Sequence, residues 1–371
     1  MCSPFSLVLQ LQLNSLISSL PSPPHPPFTV DHCYWGRPED MTYKRRAYKV
    51  TCQNPGSQPV MNTASALAAG SIAFKESDPK YAAKLLGHAK ELFAFAEECP
   101  GDYIKDGRIP AGDMYNDGGQ YLDEHAFAAA WLHKATGEKV YLDKAEEYYW
   151  QCCSVHQNVD QPYKLLQWAD MSIGVNLLLY EATHWDQFAS ALQLHLDNWI
   201  ATVPRTPKGL SYFNDWAANR FAANAAFTAI VAADLGLKPE GYREYAKSQI
   251  TYMLGDCCLD PSTGQSTQSH LIGFGPAWPV SPHHRGSSCK GEECSCTAGA
   301  NVRTLWGALI GGPTRDDMLS ADGCSDFVHS EVALDFSAGF TSAVAGLKHL
   351  NLVGGGGGQQ KVDKVIEAGG V

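Results

Sequence analysis

Helical periodicity constrains this chain most. From residue 64 to residue 350 apolar side chains return every three or four positions, and runs of alternating Val, Ile and Thr are nearly absent. The segment "PKYAAKLLGHAKELFAFAEE" (79–98) shows the pattern: Leu85, Leu86, Ala89, Leu92, Phe93 and Ala96 recur at helical spacing. Pro79 stands in its first turn, where the missing N–H would have had no partner in any case. The same reading predicts helices over 64–76, 121–136, 139–153, 171–183, 186–202, 217–235, 239–254 and 332–350. Breakers lie between them: "ATGE" at 135–138, "TPKG" at 206–209 and "LGLKPE" at 235–240. Helices so spaced pair through short turns, and many are apolar on more than one side. Faces of that kind must be buried against other helices, so an all-α assembly of helical hairpins is expected. A solenoid would need a fixed repeat period, and none is present.

The 371 residues are 44% hydrophobic and 18% charged, enough apolar material for one large core or two ordinary ones. The net charge of −11 argues against a nucleic-acid partner, whose affinity would rest on Lys and Arg. Three regions are expected. Residues 1–30 form a leader whose Leu and Val are interrupted by Gln and Asn, so no membrane span fits. It lacks the positive start of a signal peptide and ends in Pro-rich "PSPPHPP", an extended linker. The body runs over 31–352, and the Gly-rich tail over 353–371. The twelve cysteines suit an exported protein in an oxidising compartment, and a monomer is expected.

Four loops carry the groups that could do chemistry. "DHCYWGRPEDM" (31–41) gathers His32, Trp35, Arg37 and acidic residues. "YFNDWAANRFAANAAF" (212–227) places Trp216 and Arg220 four apart, on one face at the start of a helix. "SPHHRGSSCKGEECSC" (281–296) offers His283, His284 and Arg285, then Cys289, Cys294 and Cys296. "SADGCSDFVHSEVALDFSAGF" (320–340) carries Asp322, Asp326, His329 and Glu331 ahead of the last helix. Each has a plain alternative. Glu331 could be a helix cap, His–His–Arg polar side chains solvated in an exposed loop, and Trp216 with Arg220 a packing pair. Adjacent histidines and a C-x4-C-x-C run do not match zinc spacing; a local disulfide from Cys289 to Cys294 or Cys296 suits them better.

Taken in order, these stretches resemble glycoside hydrolase family 9, the endoglucanases, and among them the animal cellulases. "DHCYWGRPEDM", "YLDEHAFAAAWLHKATGEKVYLDKAE", "TPKGLSYFNDWAANRFAANAAF", "PHHRGSSC" and "DGCSDFVHSEVALDFSAGF" each match a family segment. The resemblance implies an (α/α)6 toroid and inverting hydrolysis of β-1,4-glucan. In that chemistry one carboxylic acid protonates the leaving oxygen while a carboxylate on the other face activates water. By position Glu331 becomes the general acid, Asp322 the signature aspartate, and His283 and Arg285 the grip on the sugar. His32, Trp35, Trp216 and Arg220 would line the cleft. No cofactor is implied beyond a candidate structural calcium at Asp123, Glu124 and Asp170. The family's Asp-Ala-Gly-Asp stretch, which carries its catalytic base, is not found upstream of Asp31, so the N-terminal part of the toroid is expected to be missing. Asp113, in the calcium-loop region, is not a replacement. A family arginine is replaced by Cys324, and a family asparagine by Ser337. The other reading is a glucan-binding relative without catalysis.

Overall fold

The computed structural model describes residues 11–15, 34–42, 46–105, 109, 115, 118–153, 166–255, 268–291, 294–296, 299–319 and 323–349. Their contacts divide into two compact units. One takes in the described residues of 11–34, 42–153 and 168–191, and the other those of 35–41, 166–167 and 192–349.

In the first unit, α1 (Ser57–Ala73) pairs with α2 (Pro79–Glu98), and α3 (Leu122–Thr136) with α4 (Lys139–Cys152). α5 (Ser172–Thr183) packs on α3, and α6 (Asp186–Ala201) begins here. Alanine does much of the packing: Ala64, Ala68, Ala89, Ala96, Ala126 and Ala129 are buried around Met61, Leu92, Phe93, Leu132 and Tyr149. Small side chains let helix axes approach closely. The Asp78 carboxylate caps α2 by accepting the Tyr81 N–H at 3.0 Å, with Pro79 next to it. Gly137, at φ 74°, ends α3 in the left-handed conformation that the "ATGE" break demands. α1 starts seven residues earlier than its Ala-rich pattern suggests. Pro59 falls in its first turn, where no N–H is needed, and Val60 and Met61 extend the buried face. The Cys52–Cys99 disulfide ties the approach to α1 to the end of α2. A short antiparallel pair, β1 (Leu11–Ser15) with β2 (Arg46–Tyr48), is the only named sheet among the described residues.

The second unit is built on α7 (Ala218–Asp234), which is buried along most of its circumference. α8 (Pro239–Met253) and α9 (Leu334–His349) pack on it, and Leu192, Leu196 and Trp199 of α6 are buried in the same unit. The α7–α9 crossing needs glycine. A Cβ on Gly339 would stand 2.0 Å from Asn224 Oδ1, and one on Gly346 would stand 2.7 Å from Ile230 Cγ2. Beside the helices runs an irregular ladder of single β-bridges: Leu271 with Leu309, Ile310 with Val332, and His283 with Glu331. Sequence reading predicted no strands here, and isolated bridges carry no alternating pattern that could have disclosed them.

Candidate active site

Glu331 lies on that ladder, not at a helix N-terminus. It follows the one-turn helix Phe327–Ser330 and precedes α9 by two residues. Its carbonyl accepts the Gly311 N–H at 2.8 Å, and the Gly312 N–H reaches His329 O at 2.8 Å. The approach is too close for a side chain: a Cβ on Gly311 would lie 2.8 Å from Val328 O. Glu331 therefore does not cap the start of α9; it stands at the C-terminal end of the Phe327–Ser330 turn. Burial pushes its carboxyl above the ordinary value of 4.5. A hydrogen bond from the Trp216 side chain and the charges of His283 and Arg220 pull it down, while Asp335 adds to the rise.

His283 stands on the adjoining rung. Its N–H donates to Ser330 O at 3.1 Å, and its Nδ1 lies 2.6 Å from Cys324 O. That contact requires the proton on Nδ1, which leaves Nε2 as an acceptor in the neutral ring. The Trp35 ring lies against the imidazole at 4.4 Å between centroids, and Phe327 meets it edge-on at 5.9 Å. His284 has a different job. Its Nδ1 accepts the Ser287 N–H at 3.2 Å, capping the one-turn helix Arg285–Ser288. Burial, followed by the charges of Arg285 and His283, lowers its pKa. Arg285 is half-buried at the start of that turn.

Trp216 and Arg220 do not share a helical face. α7 begins at Ala218, and Ala217 ahead of it holds φ 60°, a left-handed value costing an alanine roughly 1–2 kcal/mol. The Ala217 N–H donates to Val328 O at 3.2 Å, so the strained residue is bonded to the strip that carries Glu331. Trp216 pairs with Phe327 at 5.2 Å. The Arg220 guanidinium lies over Phe221 and Phe336 and bonds Asp335 at 3.0 Å. Asp326 caps the Phe327 turn and pairs with His329 Nδ1 at 2.9 Å.

His32 and Asp322, together with the rejected Asp113, lie outside the described residues. The candidate calcium carboxylates are in the first unit. Asp123 Oδ2 accepts the Met171 N–H at 2.8 Å, and Asp170 Oδ1 accepts the Ser172 N–H at 2.9 Å. Glu124 is buried. Among the described residues no group of three or more His, Cys, Asp and Glu side chains is arranged to hold a metal ion.

Sequence reading missed the residues that hold the site from behind. Asn219, fully buried in α7, donates Nδ2 to Ile310 O at 3.0 Å, and its Oδ1 lies 3.1 Å from His270 Nδ1. Asn301 Nδ2 donates to Pro282 O at 2.8 Å and to Ser287 Oγ at 2.7 Å, fixing the Pro-His-His-Arg turn. An asparagine within an apolar helix was the available signal for Asn219. Nothing local marked Asn301.

Residues 23–344 match glycosyl hydrolase family 9. Endoglucanase A of Bacillus pumilus is 36% identical over 337 residues, which cover 86% of this chain and 49% of that protein. A Dictyostelium discoideum endoglucanase is 35% identical, covering 86% of this chain and 43% of its own length. The chain thus spans about half or less of these curated relatives. The structure of an endoglucanase from the termite Nasutitermes takasagoensis aligns with a TM-score of 0.78 at 41% identity, covering 87% of this chain and 72% of that one. A Clostridium thermocellum endoglucanase complexed with cellotriose aligns with a TM-score of 0.72 at 33% identity, covering 85% of this chain and 51% of that one. The helical-hairpin reading and the resemblance converge on one (α/α)6 fold class, and the chain belongs to glycosyl hydrolase family 9.

Proposed function

We propose that the second unit carries the acid half of an endo-β-1,4-glucanase site, with Glu331 as the proton donor. The observation that carries this reading is the rung that sets His283 beside Glu331, whose carboxyl burial keeps protonated to higher pH. A general acid needs that property to protonate a glycosidic oxygen near neutrality. His283 Nε2 accepts from a sugar hydroxyl, and Arg285 donates to one. Trp35 and Trp216 offer indole faces to pyranose rings. Inversion requires a second carboxylate across the sugar, with room for water between the two. The complexes of relatives with cellobiose and cellotriose support a β-1,4-glucan as the ligand. Among the described residues the disulfides Cys52–Cys99, Cys152–Cys153, Cys289–Cys294 and Cys296–Cys324 support export to an oxidising compartment.

The test uses cellotetraose. Proton NMR of fresh product distinguishes the anomers, and calorimetry reports binding. The reading expects α-anomer release that falls roughly 10²–10⁴-fold in Glu331→Gln, with binding retained. Binding without hydrolysis in the unaltered chain would assign it to glucan binding alone, the second reading. Neither binding nor hydrolysis refutes both.

A further inference from the structure

The C-x4-C-x-C run has no part in the acid chemistry, yet two of the His283 ring's contacts, Cys324 O and Trp35, lead back to it. Cys289 and Cys294 are joined, and Cys296 is joined to Cys324. Cys324 sits in the 3-10 turn Gly323–Ser325 and supplies the carbonyl that accepts the hydrogen bond of His283 Nδ1–H at 2.6 Å. On the ring's other side, the Cys294 N–H donates to Trp35 O at 2.8 Å, and Trp35 is the residue whose indole lies against the imidazole. The loop also grips the neighbouring backbone, since the Arg37 N–H reaches Gly291 O at 3.3 Å. Arg303 Nη1 bonds Cys289 O at 2.6 Å from behind. The turn bearing Cys324 lies so close to Ser281 that a Cβ on Gly323 would be 2.2 Å from Ser281 O. A shift of that turn is therefore felt directly at the segment leading into His283.

We propose that the two disulfides Cys289–Cys294 and Cys296–Cys324 are positioning elements for His283. The Cys296–Cys324 bond fixes the carbonyl that sets the tautomer and tilt of the ring, and Cys289–Cys294 fixes the Trp35 wall. Without the Cys296–Cys324 bond, the turn is free to move away from Nδ1. The ring then samples the Nε2–H tautomer, and the acceptor meant for a sugar hydroxyl becomes a donor. Binding weakens with the rest of the site intact. The cysteines act through His283 and touch no substrate themselves. Substrate affinity consequently depends on the oxidation state of one bond.

This inference rests on the sugar-gripping role proposed for His283, so the test separates the two. Cellotetraose affinity is measured for the oxidised protein, for Cys296→Ser/Cys324→Ser, for His283→Ala, and for the triple combination. A control, Cys52→Ser/Cys99→Ser, removes a disulfide in the first unit. Long-range ¹⁵N–¹H NMR of the imidazoles reports the His283 tautomer in each histidine-containing protein. Loss of the Cys296–Cys324 bond is expected to weaken cellotetraose binding about tenfold, the equivalent of one hydrogen bond, and to mix the tautomers. In the His283→Ala background the same loss costs nothing further, because its route is gone. The control lowers the melting temperature and leaves affinity unchanged. A pure Nδ1–H tautomer with unchanged affinity in Cys296→Ser/Cys324→Ser overturns the proposal, as does a full additional loss in the triple variant. If no form binds cellotetraose, the glucan reading fails, and the tautomer measurement still decides whether the disulfide positions the ring.

Discussion

Asn219→Ala removes one buried amide from the first turn of α7 and with it two buried hydrogen bonds. Nδ2 serves Ile310 O at 3.0 Å, and Oδ1 faces His270 Nδ1 at 3.1 Å. Asn219 is 0% and His270 3% exposed, so no solvent reaches the groups left behind. Each stranded donor or acceptor costs roughly 1–3 kcal/mol, which sets the loss at about 2–6 kcal/mol. That is a large share of the ~5–15 kcal/mol by which a domain is ordinarily stable. The effect extends to the site, because Ile310 is bridged to Val332 and the next N–H, that of Gly311, bonds Glu331 O. Equilibrium urea unfolding followed by tryptophan fluorescence measures the first effect, and cellotetraose binding on the same preparations measures the second. The double variant Asn219→Leu/His270→Phe replaces both side chains with apolar ones and strands only the Ile310 carbonyl. Its loss should fall well short of the sum of the single losses. A loss in Asn219→Ala below about 0.5 kcal/mol, the level of an ordinary surface change, would falsify the account of how this strip is held.

Three further outcomes are expected. Glu331→Gln should melt higher than the unaltered chain at pH 8 and equally at pH 4: the folded carboxyl titrates above 4.5, so the native state holds its proton longer and loses stability as pH rises through that window. Equal melting temperatures at pH 8 count against the buried acid. His270 works in the opposite sense. Burial first of all, with Lys208 adding to it and Asp317 opposing, depresses its pKa from 6.5 to about 4, so the stability it contributes is present above 6.5 and drains away as pH falls to about 4. His270→Gln should flatten that part of the stability curve, and an unchanged slope refutes the assignment. Gly339→Ala drives a methyl into Asn224 at the α7–α9 crossing and should cost about 1–3 kcal/mol in urea unfolding, whereas Gly87→Ala, with open space around it, should cost nothing.

The helices were the part most open to sequence reading. Ala- and Leu-rich stripes, Pro79 at a start and Gly137 at an end determine local conformation through contacts within one turn, and such signals survive without any knowledge of neighbours. Glu331, His283, Trp35 and Trp216 were legible as well, but only as candidates in four separate loops. The mistake over Trp216 and Arg220 has a definite cause. Ala217 adopts a left-handed conformation because Val328 O holds its N–H, and nothing in "DWAANR" encodes a bond to a residue more than a hundred positions away.

By itself, then, the sequence determined the helical periods, the hairpin pairing and the chemical types that reach the loops. Tertiary structure alone decided what those types do. Whether Glu331 is a cap or a half-buried acid depends on Gly311 and Trp216, whether His283 or His284 faces a ligand depends on Cys324 O and the Ser287 N–H, and whether Arg220 stacks or pairs depends on Asp335 and α9. Periodicity is written by neighbours one turn away. Protonation and orientation are set by burial and by partners that only packing brings within about 3 Å.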